Sequence, residues 1–348
     1  MPQHDGVPAQ DWRSVAEPAE DATPAGVERA RAAEPGRGRD ASAPREIPAR
    51  GWRDIFWRLV WSIPEDRVLS TAGGVAFFAL LAVFPGLATV VSLYGLLADA
   101  GNIGLQLALL DGMVPDGVLA LVGDELARVT SRRGGALGLA FLLGLAVALW
   151  SANSGVSALF DALNVVYRER EKRSLVRFYA TTFLFTLGTV CFVLAAIGAV
   201  IVLPLALTLF GVATPAERVL AVARWPALLL AVVLGLALVY RFGPSRRPAK
   251  WRWVNLGSAF AAALWVGVSM LYSWYVASFD SYNRTYGSLG AGVGFMTWIW
   301  LSVVVVLVGA ELDAEMERQT AVDTTQGPAK PLGARGAVVA DTVGEAEA

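Results

Sequence analysis

The chain of 348 residues is 55% hydrophobic and only 17% charged, and its mean hydropathy is +0.51. Soluble domains are nearer a quarter charged, so this composition argues against a cytosolic enzyme, and a formal net charge of −1 argues against a globally basic nucleic-acid binder. The single cysteine excludes an intramolecular disulfide, and the single histidine, His4, lies in a polar terminal stretch. We therefore predict a polytopic membrane protein that is not an enzyme and has no catalytic residues, metal site or cofactor.

Both ends of the chain are predicted to be disordered. Residues 1–50 and 320–348 are rich in Pro, Ala, Gly and charged residues and contain almost no large aliphatic side chains. Such segments cannot bury enough apolar surface to offset the entropy of ordering them. The sequence thus divides into a disordered tail over 1–50, a transmembrane domain over 51–319 and a second disordered tail over 320–348.

Six apolar stretches without Lys or Arg predict six transmembrane helices. A bilayer core of about 30 Å requires about 20 helical residues, and most of the stretches reach that length. None shows the period-2 alternation of a membrane barrel, so the predicted fold is all-α. The stretches are Leu69–Ala98, Ala136–Leu159, Phe178–Leu209, Trp225–Tyr240, Trp253–Ser278 and Leu289–Ala310.

The distribution of basic residues predicts the orientation. Sixteen Lys or Arg residues between Arg45 and Arg318 lie before the first span, between the second and third, between the fourth and fifth, and after the sixth. The other three connections between spans carry six. The positive-inside rule then places both termini in the cytoplasm of a bacterial plasma (inner) membrane.

The first span contains Pro85 near its middle, with Gly73 and Gly74 closer to its start. Because proline leaves the carbonyl of Leu81 without its helical partner, the span could be kinked and line a cavity. Alternatively, the glycines let neighbouring backbones approach closely and the span serves packing. Both interpretations remain open.

The first external loop, Asp99 to Gly135, predicts an extra amphipathic helix. Pro115-Asp116 is a plausible helix start, after which Val118, Leu121, Val122 and Val129 share one face. This helix would either cap the bundle or lie on the outer membrane surface.

Polar residues form a stripe along the second span. Asn153, Ser157, Asp161 and Asn164 recur at steps of four, four and three, so they share one helical face. Polar residues within a bilayer usually face the bundle interior or a wet cavity, which makes this stripe a candidate cavity lining. The alternative is that the helix projects into the cytoplasm and the stripe is solvated.

The fifth and sixth spans form a hairpin followed by a glycine-rich run. Gly287, Gly290 and Gly294 indicate a helix-packing surface of the small-xxx-small type. Glu311, at the end of the sixth span, is expected to pair with the Arg246/Arg247 loop or the Arg168–Arg173 loop. It would act either as a structural latch or in proton coupling. The positive-inside rule accounts for the basic loops, so no nucleic-acid partner is predicted.

Several segments resemble the YihY/BrkB family of bacterial inner-membrane proteins. They are Ala76-Phe77-Phe78 through Phe84-Pro85, Leu159–Tyr167, the Pro244-Arg246-Arg247 loop, Tyr286–Gly290 and, most specifically, Leu307–Leu312. The resemblance covers about Trp52 to Gln319 and implies six membrane helices with cytoplasmic termini. Members have carried the label of a tRNA-processing ribonuclease, and others have been linked to serum resistance or envelope lipid traffic, so no mechanism is implied.

Two functional hypotheses follow. The first is a transporter-like or lipid-handling protein, with membrane lipids as partners and a lipid or small solute as substrate, which uses a cavity between the first, second, fifth and sixth spans. The second is a non-transporting scaffold for envelope assembly or surface resistance. Either is compatible with a homo-oligomer. A membrane ribonuclease is disfavoured because the core has no histidine.

Overall fold

The computed structural model describes residues 24–97, 134–202, 215–278 and 288–347. Within these ranges the chain is helical, and six helices are long and apolar enough to cross a membrane. The predicted all-α fold with six spans is therefore confirmed. The amphipathic helix expected within Asp99 to Gly135 lies almost entirely outside the described residues, as does the first part of the amino-terminal tail.

The described helices are numbered in chain order, and the six spans are α3 to α8. Their bounds are α1 Pro24–Ala32, α2 Ala49–Glu65, α3 Val68–Leu97, α4 Gly134–Val166, α5 Leu175–Ile197, α6 Pro215–Phe242, α7 Trp251–Ser278, α8 Ser288–Gln319 and α9 Val338–Asp341.

Four of the spans pack into a bundle and two flank it. Helix α3 lies along α4, and α8 packs against α3, α4 and α7. Helix α5 packs mainly against α4, and α6 packs mainly against α7. The two flanking helices therefore have faces that no other described helix covers.

The buried apolar core is concentrated at one end of the bundle. Val68 at the start of α3, Leu163 near the end of α4, Val254 at the start of α7 and Ala310 near the end of α8 all belong to one buried cluster. Since successive spans alternate in direction, these positions lie on the same side of the membrane. We call this the cap side.

The terminal segments fold together on the cap side, so the prediction of disorder is wrong for residues 24–50 and 320–347. Ala41 and Ile47 are buried in a cluster with Ile55 of α2 and Met316 of α8. Lys250 N donates to the Thr324 carbonyl oxygen at 2.8 Å. Composition failed here because many charged side chains of these segments are paired with groups elsewhere in the fold. We define the terminal cap as residues 24–65 and 311–347 with the basic loops 167–174 and 243–250.

Helix α2 has two faces of different character. Its buried face packs on α8 and carries Asp54, Ile55, Arg58, Leu59 and Ser62. Its other face exposes Phe56, Trp57, Val60 and Trp61. Bulky aromatic side chains beside the first span suit the headgroup level of a bilayer, so α2 has the character of an interfacial helix. The hydropathy of the sequence does not predict α2 as a separate helix.

Candidate functional site

The last turns of α8 carry a row of buried ionisable side chains. Glu311, Asp313, Glu315 and Glu317 are each at most 2% exposed. Because successive members are two residues apart on a helix, Glu311 and Glu315 face one way and Asp313 and Glu317 face the other. The end of α8 therefore contributes polar groups to two separate contacts within the terminal cap.

The first contact joins α8 to α2. Arg58 Nε donates to Glu315 Oε2 at 2.6 Å, and an Arg58 terminal nitrogen donates to Gln319 Oε1 at 2.7 Å. Arg318 donates to the second oxygen of Glu315 at 2.5 Å. The other terminal nitrogen of Arg58 donates to the Glu345 carbonyl oxygen at 2.8 Å. One buried arginine thus ties α2, α8 and the carboxyl-terminal segment together.

The second contact joins α8 to the loop after α6. Arg246 donates two hydrogen bonds to Glu317, at 3.1 and 2.6 Å, and its guanidinium lies 4.2 Å from the Tyr167 ring centroid. Burial lowers the pKa of Arg246, but the Glu317 carboxylate outweighs it and the pKa is raised above its ordinary value. Thr324 donates to the same carboxylate at 2.7 Å. This pair is fully desolvated and hydrogen-bonded, as a stable buried ion pair requires.

Glu311 does not form the expected pair with either basic loop; Glu317 takes that role with Arg246. Glu311 instead faces the Asp66 carboxyl group and Ser62, whose hydroxyl donates to the Leu59 carbonyl oxygen at 3.0 Å. Glu311 Oε1 and Asp66 Oδ2 are both buried and have no hydrogen-bond partner among the described residues. The prediction was wrong because α2 and its junction with α3, rather than a basic loop, cover this face of α8.

The members of the polar stripe of α4 have different surroundings. Asn153 accepts a hydrogen bond from Thr186 of α5 at 3.3 Å, whereas the Ser157 hydroxyl is buried without a partner among the described residues. Asp161 is exposed. Asn164 accepts from the Ser245 backbone N–H at 2.7 Å, inside the terminal cap. The members that have partners thus contact different neighbours.

Asn164 also helps to fix the loop after α4. Its side-chain amide donates to Glu171 at 3.1 Å, and Arg173 donates to Glu171 through both its side chain and its backbone. Burial raises the pKa of Glu171, but the hydrogen bonds from Arg173, Asn164 and Ser245 outweigh it and lower the pKa to about 2.

Glycine permits close helix contact at positions other than those predicted. An added Cβ at Gly257 of α7 would lie 2.4 Å from the Asp313 side chain, and one at Gly309 of α8 would lie 2.5 Å from Ala261. At Gly73 and Gly74 an added Cβ meets no described atom within 4 Å, so no close contact there requires glycine.

The remaining predicted positions contribute less. The carbonyl of Gly294 accepts a hydrogen bond from the Tyr272 hydroxyl at 2.7 Å, which joins α8 to α7. Gly287 lies outside the described residues. Gly290 lies in the first turn of α8, and its surroundings are not described. Helix α3 continues through Pro85 to Leu97.

An apolar groove of about 750 Å³ lies between the flanking spans α5 and α6. Its walls include Leu184, Phe185 and Gly188 of α5 and Gly235 and Leu238 of α6. It extends on α5 from Thr181 to Phe192, which is about 16 Å along the helix. The predicted cavity is in a different place, between the first, second, fifth and sixth spans. At the cap side, buried apolar side chains fill the bundle of α3, α4, α7 and α8.

Two arginines lie near the cap-side end of the groove. Phe242 lines this end, and Arg173 donates to the Phe242 and Gly243 carbonyl oxygens at 3.2 and 2.7 Å. Arg177 is exposed one helical turn before Thr181, and its guanidinium has no partner among the described residues. The groove therefore combines an apolar body with a cationic end.

Two further cavities lie in the terminal cap. One of about 610 Å³ is bounded by residues 42–46, Trp52 and the start of α7. A smaller polar one, of about 230 Å³, is lined by side chains that include Ser62, Glu65, Arg168 and Glu315. In the described part of the chain, no group of three or more His, Cys, Asp or Glu residues is placed to hold a metal ion.

Comparison with known proteins gives consistent matches. The family model described as virulence factor BrkB matches residues 60–333. The ribonuclease-like protein YfkH of Bacillus subtilis is 30% identical over 275 residues, which cover 77% of this chain and 95% of that protein. UPF0761 membrane proteins of Tolumonas auensis and Vibrio campbellii are 27% and 29% identical, over 78% and 75% of this chain and 86% and 82% of their own lengths. No solved structure is significantly similar to the chain.

Proposed function

The chain belongs to the BrkB family of polytopic membrane proteins, and from that premise we propose that it is a lipid-handling protein whose binding site is the groove between α5 and α6. The observation that carries the proposal is the combination of an apolar groove with a cationic end. A glycerophospholipid has the matching chemistry, since its acyl chains are apolar and its phosphate is anionic.

The groove favours an acyl chain because of its walls. Leu184 and Leu238 are 67% and 42% exposed within the apolar spans, so only lipid chains or another apolar helix can cover them in a bilayer. Gly188 and Gly235 leave open space where side chains would otherwise project. Two missing side chains on facing helices widen the groove at the depth where an acyl chain would lie.

The cationic end favours a phosphate. Arg173 is already committed to Glu171 and to two backbone carbonyls, so it positions the loop rather than the ligand. Arg177, one helical turn before the groove residue Thr181, retains its donors, and arginine offers planar, bidentate geometry for phosphate oxygens. Arg177 is therefore the residue to which we assign the headgroup contact.

The orientation belongs to the same proposal. The basic connections favour a terminal cap, and with it the mouth of the groove, at the cytoplasmic surface of a bacterial plasma membrane. Phospholipid would then enter from the inner leaflet.

The test is photo-crosslinking of a phospholipid that carries a reactive group in its acyl chain, with the full chain in proteoliposomes. Gly188→Phe and Gly235→Phe should fill the groove and reduce labelling about tenfold, which corresponds to roughly 1.4 kcal/mol of lost binding. Gly267→Phe on α7 is the matched control, because an added Cβ there also meets no described atom within 4 Å.

Function is tested in the same vesicles by following a fluorescent phospholipid between leaflets. Groove-dependent movement supports handling of lipid across the membrane. Undiminished labelling of both groove variants, or no lipid movement by protein that is correctly inserted, would contradict the proposal.

A non-transporting scaffold is the second candidate, and the folded terminal cap favours it. Residues 24–50 and 320–347 are held together in the terminal cap, which leaves a cavity of about 610 Å³ open beside Trp52 and Asn255. Cell-surface crosslinking that captures the same envelope proteins with wild type and with Gly188→Phe would favour the scaffold over lipid handling.

We do not assign nuclease chemistry to this chain despite the name of its Bacillus relative. RNA cleavage by the purified chain in metal-supplemented buffer would contradict this assignment.

A further inference from the structure

A buried pair of carboxyl groups lies where α3 meets α8, outside the groove. Asp66 occupies the short junction between α2 and α3, and Glu311 projects from α8. Glu311 is 1% exposed and Asp66 is half-buried. The two carboxyl groups lie within hydrogen-bond reach of each other.

The surroundings of the pair supply little positive charge. The groups that face it are Ser62 and Glu65 from α2, Glu315 from α8 and Arg168 from the loop after α4. Arg168 is shared with Glu65, at 3.9 Å, and Arg58 and Arg318 are engaged by Glu315. Among the described residues, therefore, no cation is dedicated to either member of the pair.

Two ionised carboxylates cannot be accommodated in such contact, and one shared proton resolves the conflict. The buried oxygens Asp66 Oδ2 and Glu311 Oε1 have no donor among the described residues. A buried acceptor without a donor is costly, and a proton held between the two carboxyl groups would give each a partner. Burial also raises the pKa of Asp66 above its ordinary value.

A polar cavity lies beside this pair. The 230 Å³ cavity of the terminal cap is lined by Ser62, Glu65 and Arg168, the same side chains that face the pair. Ser62 thus borders both this cavity and Glu311.

We propose that Asp66 and Glu311 form a proton-binding site that holds one shared proton at neutral pH and exchanges it with the aqueous phase through this cavity. Loss of the proton leaves one negative charge just before α3 and a second on α8, the first and last spans. The site thereby links protonation to the contact between these spans, whatever ligand the groove binds.

The experiment is an infrared titration of the full chain in lipid nanodiscs, following the C=O band of protonated carboxyl groups. Wild type should retain one such band at pH 7. Asp66→Asn and Glu311→Gln should each move the midpoint of the remaining carboxyl at least about one unit to lower pH, a tenfold loss of proton affinity. Asp40→Asn, which removes an exposed carboxyl group that is not among those facing the pair, is the matched control and should leave the band unchanged.

The outcomes distinguish a shared proton from a bound metal cation and from loss of the fold. Absence of the band in folded wild type, or an unchanged Glu311 midpoint in Asp66→Asn, would overturn the proposal. A band that disappears when choline is replaced by sodium would assign the site to a metal cation and also overturn it. The double variant Asp66→Asn/Glu311→Gln has neutral groups that can pair, so circular dichroism and gel filtration on it verify that loss of the band does not reflect unfolding.

Discussion

The terminal cap and the flanking membrane helices reverse the usual relation between polarity and burial. In the cap, Arg58, Glu315 and Glu317 are at most 6% exposed. In the apolar windows of α4, α5 and α6, only 6% of residues are buried within the protein. The same chain thus buries its charges and exposes its leucines.

The difference shows which solvent each region meets. Exposed leucines on α5 and α6 carry no penalty in hydrocarbon, so these helices need few protein contacts. Cap residues leave water when they pack, and each charge must recover its lost hydration from a partner. Stability should therefore depend steeply on single residues in the cap and weakly on single residues in the flanking helices.

Breaking the Arg246–Glu317 pair should give the largest effect. Arg246→Met leaves the buried Glu317 carboxylate without its cation and should lower the free energy of unfolding by about 3–5 kcal/mol. Thermal unfolding of the purified chain in detergent measures this loss. Arg170→Met is the control, because Arg170 is exposed. The double variant Arg246→Met/Glu317→Met should recover most of the lost free energy of unfolding. If the single and double variants are equally destabilised, the unpaired Glu317 carboxylate does not cause the loss.

Crowding the contact between α7 and α8 should have the next largest effect. A Cβ at Gly257 would lie 2.4 Å from Asp313 and 2.5 Å from the Gly309 carbonyl oxygen, so Gly257→Ala should cost about 1–3 kcal/mol. Gly73→Ala on α3 adds the same methyl group where no described atom lies within 4 Å. It should be neutral or slightly stabilising, because alanine favours helix. Similar losses in both variants would show that the cap-side contact is not specially tight.

The membrane helices were predictable because hydropathy reports directly on contact with lipid. Each predicted span falls largely within one observed helix, including Trp253–Ser278 within Trp251–Ser278. The six spans could be predicted without knowing which helices pack against each other, since a lipid-facing leucine has the same environment on any span.

The terminal cap was not predictable in this way because its order depends on pairs between distant residues. The tail residues Arg39, Glu345 and Thr324 resemble those of a disordered segment until Gln319, Arg58 and Glu317 are placed beside them. Likewise, an acid near the end of the sixth span was expected to meet arginine. Sequence could not decide whether Glu311 or Glu317 would do so, because that depends on which element covers each face of α8.

Signals for two missed features were nevertheless present. In α2, Ile55, Leu59 and Ser62 recur at steps of four and three, while Phe56 and Trp57 fall on another face. Asp66 borders the first span on the same side as Glu311 borders the sixth, which places both acids at a similar depth. Only the contact between α3 and α8 makes them neighbours.

Acid should weaken the cap through Glu171. Its pKa is about 2 in the folded chain, against about 4.3 for an unperturbed glutamate, so the folded state binds its proton more weakly. This contribution to stability is present above about pH 4.3 and is lost as the pH falls towards 2. Glu171→Gln should therefore lose less stability than wild type between about pH 5 and 3. Glu345→Gln, at an exposed position, is the control, and parallel pH profiles for wild type and Glu171→Gln would exclude this role.

The smallest effect is expected in the membrane, at the hydrogen bond between Thr186 and Asn153. Thr186→Val removes a 3.3 Å contact that joins α5 to α4. Hydrogen bonds between membrane helices average about 0.6 kcal/mol, because polar groups find other partners in the unfolded state within the bilayer. Thr189→Val, at an exposed position on the same helix, supplies the baseline for unfolding in mixed micelles. If Thr186→Val lowered the free energy of unfolding as much as Arg246→Met, specific polar contacts would hold α5 in place. The cap and the flanking helices would then not differ in how strongly their stability depends on single residues.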